Sequence, residues 1–236
     1  MEMFSSPDFW IGLMKIIWIN IILSGDNAVV IALAARSLPP EQQKKAIFFG
    51  SAAAVVLRII LTVVAVKLLA LSFLQIVGGL LLLWIGVQLL SDEEEGEGEG
   101  KEHGSLAAAV RTILIADLVM SVDNVIAVAA AANSAPAAAQ TGLLIVGLGL
   151  SIPLIISGST LLMKLMSRFP VIITLGAALL GFVAGEMAMS DPVIDAWVQA
   201  HAQDWVTAVG LLGAVVVVTL GKYLAWRQNQ APREVA

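Results

Sequence analysis

Four carboxylates, Asp26, Asp117, Asp123 and Glu186, fall inside long apolar stretches, and Asn20, Ser24, Asn27, Ser121 and Asn124 accompany them. A carboxylate near the centre of a bilayer costs about 2.5–3.5 kcal/mol or more, so such residues face a cavity, pair with a cation or bind one. Hydrogen bonding between helices accounts for a lone Asn or Ser; it is a poor account of four acids. The ligands on offer are all oxygens. The two histidines, His103 and His201, lie in connections, and there is no cysteine. Such a set suits Mg²⁺, Ca²⁺ or Mn²⁺ better than Cu⁺ or Zn²⁺, and it leaves the order among the first three open.

Spacing sharpens this. Asn20, Ser24 and Asn27 stand at i, i+4 and i+7, and Asp117, Ser121 and Asn124 repeat the pattern, so each trio shares one helical face. Asp26 and Asp123 lie about 100° away from the neighbouring Asn on an ideal helix. Straight helices cannot bring all these oxygens to one point: either Gly25 allows local unwinding, or Asp26 faces another helix. Arg58 falls in the middle of an apolar stretch and is expected to form a buried pair with an aspartate, Asp26 and Asp123 being the first candidates. Its role would be to hold the carboxylates when no metal is bound. Lys15 is closer to the end of its stretch and can snorkel.

The elements that carry these residues are membrane helices. The 236-residue chain is 59% hydrophobic and only 13% charged, against about 25% charged in a soluble domain. Seven spans are predicted, at Phe9–Ala35, Ala46–Ala70, Phe73–Ser91, Leu106–Ala132, Gln140–Met163, Phe169–Met189 and Trp205–Trp226. The start lacks a basic n-region, so no cleaved signal peptide is expected. Of the thirteen Lys and Arg residues, ten fall in alternate connections or near the span ends that face them, Lys67 near an end facing the other set, and Lys15 and Arg58 deeper within spans. That alternation predicts a multi-pass protein of the inner (cytoplasmic) membrane with its N-terminus outside and its C-terminus in the cytoplasm.

An offset of 97 residues superimposes the chain on itself: Ser24, Asp26 and Asn27 fall on Ser121, Asp123 and Asn124, Asn20 on Asp117, Pro39 on Pro136, and Gly79 on Gly176. The predicted fold is therefore all-α: one transmembrane domain over 1–236, with inverted three-span repeats at 9–91 and 106–189 and an added helix at 205–226. Transporters of this design bind substrate near the midplane, between the repeats. The acidic run within 92–105, DEEEGEGEGKEHG, reads as a solvated linker. Pro153 is expected to kink the fifth span.

Five segments carry a family resemblance: IILSGDNAVVIALAARSLP at Ile21–Pro39, AAAVVLRIIL at Ala52–Leu61, DLVMSVDNVIAVAAAA at Asp117–Ala132, LSIPLIISGS at Leu150–Ser159 and LLGFVAGEMAMSDP at Leu179–Pro192. Together they resemble the TerC family of integral membrane proteins, and within it the YjbE-like subgroup. The resemblance implies manganese homeostasis, with efflux of Mn²⁺ as transported substrate, kinship with LysE-like exporters, and a site including Asp26, Asp123 and Glu186. The partners expected are the divalent cation and the lipid bilayer; homo-oligomerisation is left open, and no organic cofactor or nucleic acid is expected.

Two alternatives stand beside this: export of an amino acid or other small solute, and a non-transporting membrane assembly factor. An aspartyl protease dyad of Asp26 and Asp123 lacks a GxGD segment, and no GxxxxGK[ST] motor motif occurs, so no enzyme is expected. The orientation has a direct test. Gln43→Cys should resist an impermeant thiol reagent on intact cells and Ser134→Cys should react with it; the reverse pattern overturns the topology.

Overall fold

The computed structural model describes residues 10–11, 13–15, 17–18, 25–68, 72–91, 105–133 and 137–230. These form α1 (Gly25–Arg36), α2 (Pro40–Leu68), α3 (Leu74–Ser91), α4 (Leu106–Asn133), α5 (Ala137–Gly149), α6 (Ser151–Arg168), α7 (Val171–Met189), α8 (Asp195–His201) and α9 (Trp205–Gln230), with no strand among the described residues. Five stretches of them are long and apolar enough to cross a membrane: Pro40–Thr62, Leu74–Ser91, Leu144–Arg168, Val171–Met189 and Trp205–Gln228. The first predicted span is described as continuous helix only from Gly25, and the acidic linker lies outside the described residues.

The surface has the chemistry of a membrane protein. Trp18, Phe49, Ile60, Trp84, Leu212 and Val215 all stand exposed, an apolar coat that bilayer hydrocarbon accepts and water does not. On α9 the exposed Trp205 and Trp226 stand about 31 Å apart at 1.5 Å per residue. That matches the hydrocarbon thickness of about 30 Å, and indole rings favour its two interfaces.

Small residues bring three helices together. α7 packs against both α3 and α9, and α3 also meets α9. Gly181 and Gly213 face each other so closely that a Cβ on either would strike the other's carbonyl oxygen, and one on Gly79 would meet the Ala184 carbonyl oxygen at 2.6 Å. Lipid gives no hydrophobic drive for helix pairing, so this close backbone approach supplies the attraction through dispersion. A second group pairs α2 with α4 and α1 with α6. The 97-residue offset carries the end of α1, Arg36, onto the end of α4, Asn133; it also carries Pro40 onto Ala137 and Leu74 onto Val171, each the start of a helix.

The predicted fifth span is two helices, α5 and α6, meeting at Leu150. Pro153 has no N–H to offer the carbonyl four residues back, at Gly149. Leu150 keeps helical angles, φ −65° and ψ −18°, and its N–H still donates to Val146 O at 2.9 Å, so the junction is a kink.

Asp191, after α7, binds the start of α3. Its Oδ1 accepts from Phe73 N at 3.1 Å and Val193 N at 3.0 Å; its Oδ2 accepts from Gln75 N at 3.1 Å and Ile76 N at 3.3 Å. The side chain caps the first turn of a distant helix and anchors Phe73 in a left-handed conformation, φ 67°, which is unfavourable for a bulky residue. Burial pushes the Asp191 carboxyl up, but the amide donors outweigh it and hold the group below the ordinary value of 3.8. A carboxyl held low contributes stability that is present above its unfolded pKa and lost as pH falls through the folded value. Asp191→Asn should cost roughly 0.5–2 kcal/mol, as for other caps, lowering the melting temperature in detergent at neutral pH. It should also remove part of the loss of stability seen below about pH 4. An acid-side melting profile identical to that of the unsubstituted chain would exclude this role.

Candidate ion site between α2 and α4

One face of α4 presents the buried Asp117 and Ser121 towards α2, with the buried Asn124 one turn further along α4; α2 contributes the buried Arg58, with Thr62, also buried, one turn on. The Arg58 guanidinium pairs through Nη2 with Asp117 Oδ1. Its Nε donates to Ser121 Oγ at 3.0 Å, and Ser121 Oγ donates to Asp117 Oδ2 at 3.2 Å. The three side chains close a ring in which both Asp117 oxygens are engaged. Thr62 Oγ1, one turn further along α2, donates to the Arg58 carbonyl oxygen at 2.7 Å. Arg58 is 1% exposed, and a guanidinium so deep is stable only when paired and hydrogen-bonded.

Asp26 on α1 is half-buried, and its charge interacts with those of both Arg58 and Asp117. Its Oδ1 accepts from the Asn27 N–H at 2.7 Å; Asn27 itself is buried. Three helices thus contribute to one polar region inside the apolar body: α1 with Asp26 and Asn27, α2 with Arg58, and α4 with Asp117 and Ser121.

Other candidates fall differently. Asn20, Ser24 and the side chain of Asp123 lie outside the described residues, although the Asp123 backbone is part of α4. Glu186 is half-buried on α7, facing α9: a Cβ on Gly210 would stand 3.1 Å from its Cγ. Among the described residues no charged group acts on Glu186. Nor do three or more His, Asp or Glu residues there gather around one point as a metal cage. Among the described side chains the aspartate that pairs with Arg58 is Asp117, which was not one of the two first expected. Thr62 was not anticipated; its position four residues after Arg58 is the signal for it.

A recess of about 190 Å³ opens where the ends of α1 and α3 meet the start of α4. Ser37, Gln88, Ser105 and Thr112 line it together with Ala34 and Leu38, so its polar groups are neutral. Thr112 stands about 7.5 Å along the α4 axis from Asp117.

Several known proteins are similar to this chain. The model of the family described as "Integral membrane protein TerC family" matches residues 5–230. The membrane protein YjbE of Bacillus subtilis (strain 168), described as uncharacterized, is 43% identical over 194 residues, covering 82% of this chain and 86% of that protein. YceF of the same organism, also described as an uncharacterized membrane protein, is 26% identical over 198 residues, covering 80% of this chain and 75% of YceF. The inner membrane protein YoaE of Escherichia coli (strain K12) is 25% identical over 155 residues, 58% of this chain and 30% of YoaE. No solved structure matches.

The ring predicts a specific pattern of rescue. Arg58→Ala strands the Asp117 charge, which costs roughly 3–5 kcal/mol, and should cut the yield of monodisperse protein. Adding Asp117→Asn removes that charge and should restore the yield on size-exclusion chromatography. A double variant as poor as Arg58→Ala alone rejects the pairing as the cause.

Proposed function

The chain belongs to the TerC family of integral membrane proteins, and we propose that it exports a divalent metal cation, Mn²⁺ foremost, through its intramembrane carboxylates. The observation that carries this reading is the polar region inside the membrane body, the buried Arg58–Asp117–Ser121 ring with Asp26 close enough for its charge to act on Arg58 and Asp117. A family associated with ion transport gives that cluster a use. The resemblance brings Mn²⁺ forward among the hard cations that oxygen ligands suit.

In the proposed resting state Arg58 supplies the positive charge that the carboxylates need. An arriving cation takes over that charge and binds Asp26 and Asp123, with Asp117 released to it as Arg58 withdraws. Asn20, Asn27, Asn124, Ser24 and Ser121 are the neutral oxygens available to complete the shell. Glu186, set apart on α7, is assigned to a separate point on the path. The matched helix boundaries at the 97-residue offset support an inverted repeat, with Asp26 and Asp123 meeting the ion from opposite sides near the midplane. On this reading there are seven spans, the C-terminus is cytoplasmic, and the neutral recess beside Thr112 is the cytoplasmic approach.

The test is flux in liposomes holding the purified chain, with Mn²⁺, Ca²⁺, Mg²⁺ and lysine offered separately. Mn²⁺ should move and lysine should not. Asp26→Asn and Asp123→Asn should each reduce Mn²⁺ flux about tenfold or more at matched protein amount, a loss that needs only about 1.4 kcal/mol of cation binding. Asn27→Ala and Asn124→Ala should weaken it less, because water can replace a neutral ligand. Full flux in both Asp→Asn variants would reject the carboxylate mechanism, and lysine movement without Mn²⁺ movement would replace the substrate class.

A further inference from the structure

Away from the polar region, a recess of about 290 Å³ separates the α1–α2 corner from the α6–α7 corner. This approaches the lower end of ligand-sized cavities, about 300 Å³. Arg36 and Lys164 line it, and among the described residues no carboxylate does. Gln43 stiffens the first corner: its Nε2 donates to the carbonyl oxygens of Arg36 at 3.2 Å and Leu38 at 2.9 Å. The Arg36 guanidinium is steadied from α3, donating through Nη2 to Leu89 O at 2.8 Å. Met163, Met166 and Ile173 give the recess an apolar wall.

Its level in the membrane follows from its neighbours. The recess lies at the last turn of α6 and the first of α7, where two spanning segments meet. Leu161, Leu165, Phe169 and Val171 nearby are exposed and apolar, so hydrocarbon reaches its edge. A ligand that fits two cations beside an apolar wall at this boundary has an anionic head and a greasy body. Basic pockets between membrane helices take lipid headgroups in this way. A divalent cation is repelled by Arg36 and Lys164, and so is the ammonium of a zwitterionic lipid.

We propose that this recess binds an anionic phospholipid, its phosphodiester between Arg36 and Lys164 and the start of its acyl chains against Met163, Met166 and Ile173. The site is independent of which ion the protein moves. Native mass spectrometry of delipidated protein, offered phosphatidylglycerol or phosphatidylcholine with the same acyl chains, tests it. Phosphatidylglycerol should be retained about fivefold better or more. Lys164→Gln should weaken that preference and Lys164→Glu should abolish it, with melting temperature unchanged because Lys164 is exposed. Equal retention of the two lipids overturns the proposal, and so does undiminished preference in Lys164→Glu. Displacement of phosphatidylglycerol by millimolar inorganic phosphate would assign the recess to free phosphate and reject the lipid.

Discussion

A guanidinium in the interior of a membrane protein must be answered by an opposite charge, and much of the described polar structure follows from that requirement. Arg58 cannot turn to water from the middle of α2, so α4 has to bring Asp117 to it. Ser121, one turn further along α4, then satisfies the Nε and the second carboxylate oxygen together. The ring fixes the rotation of both helices, because turning either one would leave a charge in hydrocarbon.

The remaining helices adhere by a different physics. Where α7 meets α3 and α9 the closest approaches are made at glycines and at Ala184, and the attraction there is short-range dispersion between closely packed backbones. Such a seam has one good register and tolerates little displacement. The group of α1, α2, α4 and α6 is held in part by hydrogen bonds and charge, which can exchange partners. The described helices thus combine tight backbone packing on one side with polar contacts on the other.

Much of this could be read in the residues beforehand, and the parts that could not have physical reasons. The shared face of Asp117 and Ser121 follows from their spacing of four. The break near Leu150 follows from the missing N–H of Pro153. The partner of Arg58 was not legible, since three aspartates compete for it and hydrophobicity says nothing about the rotation of a nearly uniformly apolar helix. Rotation also decides Glu186: its place in a span was clear, but not that it would face α9. The short α8 has too few residues to show a periodic pattern. Asp191 left no mark because its partners are backbone amides, which every sequence carries.

The cap supplied by Asp191 joins segments 116 residues apart in the chain. During synthesis α3 leaves the ribosome long before residue 191 exists. Its first amides must therefore be satisfied by water or lipid headgroups while α4 to α7 are still being made. The α3 segment can enter the bilayer early, but it reaches its final capped start only after α7 has been inserted and its end has folded back. Biogenesis of this protein thus has a late closing step, in which the last part of the second half secures the beginning of a helix in the first.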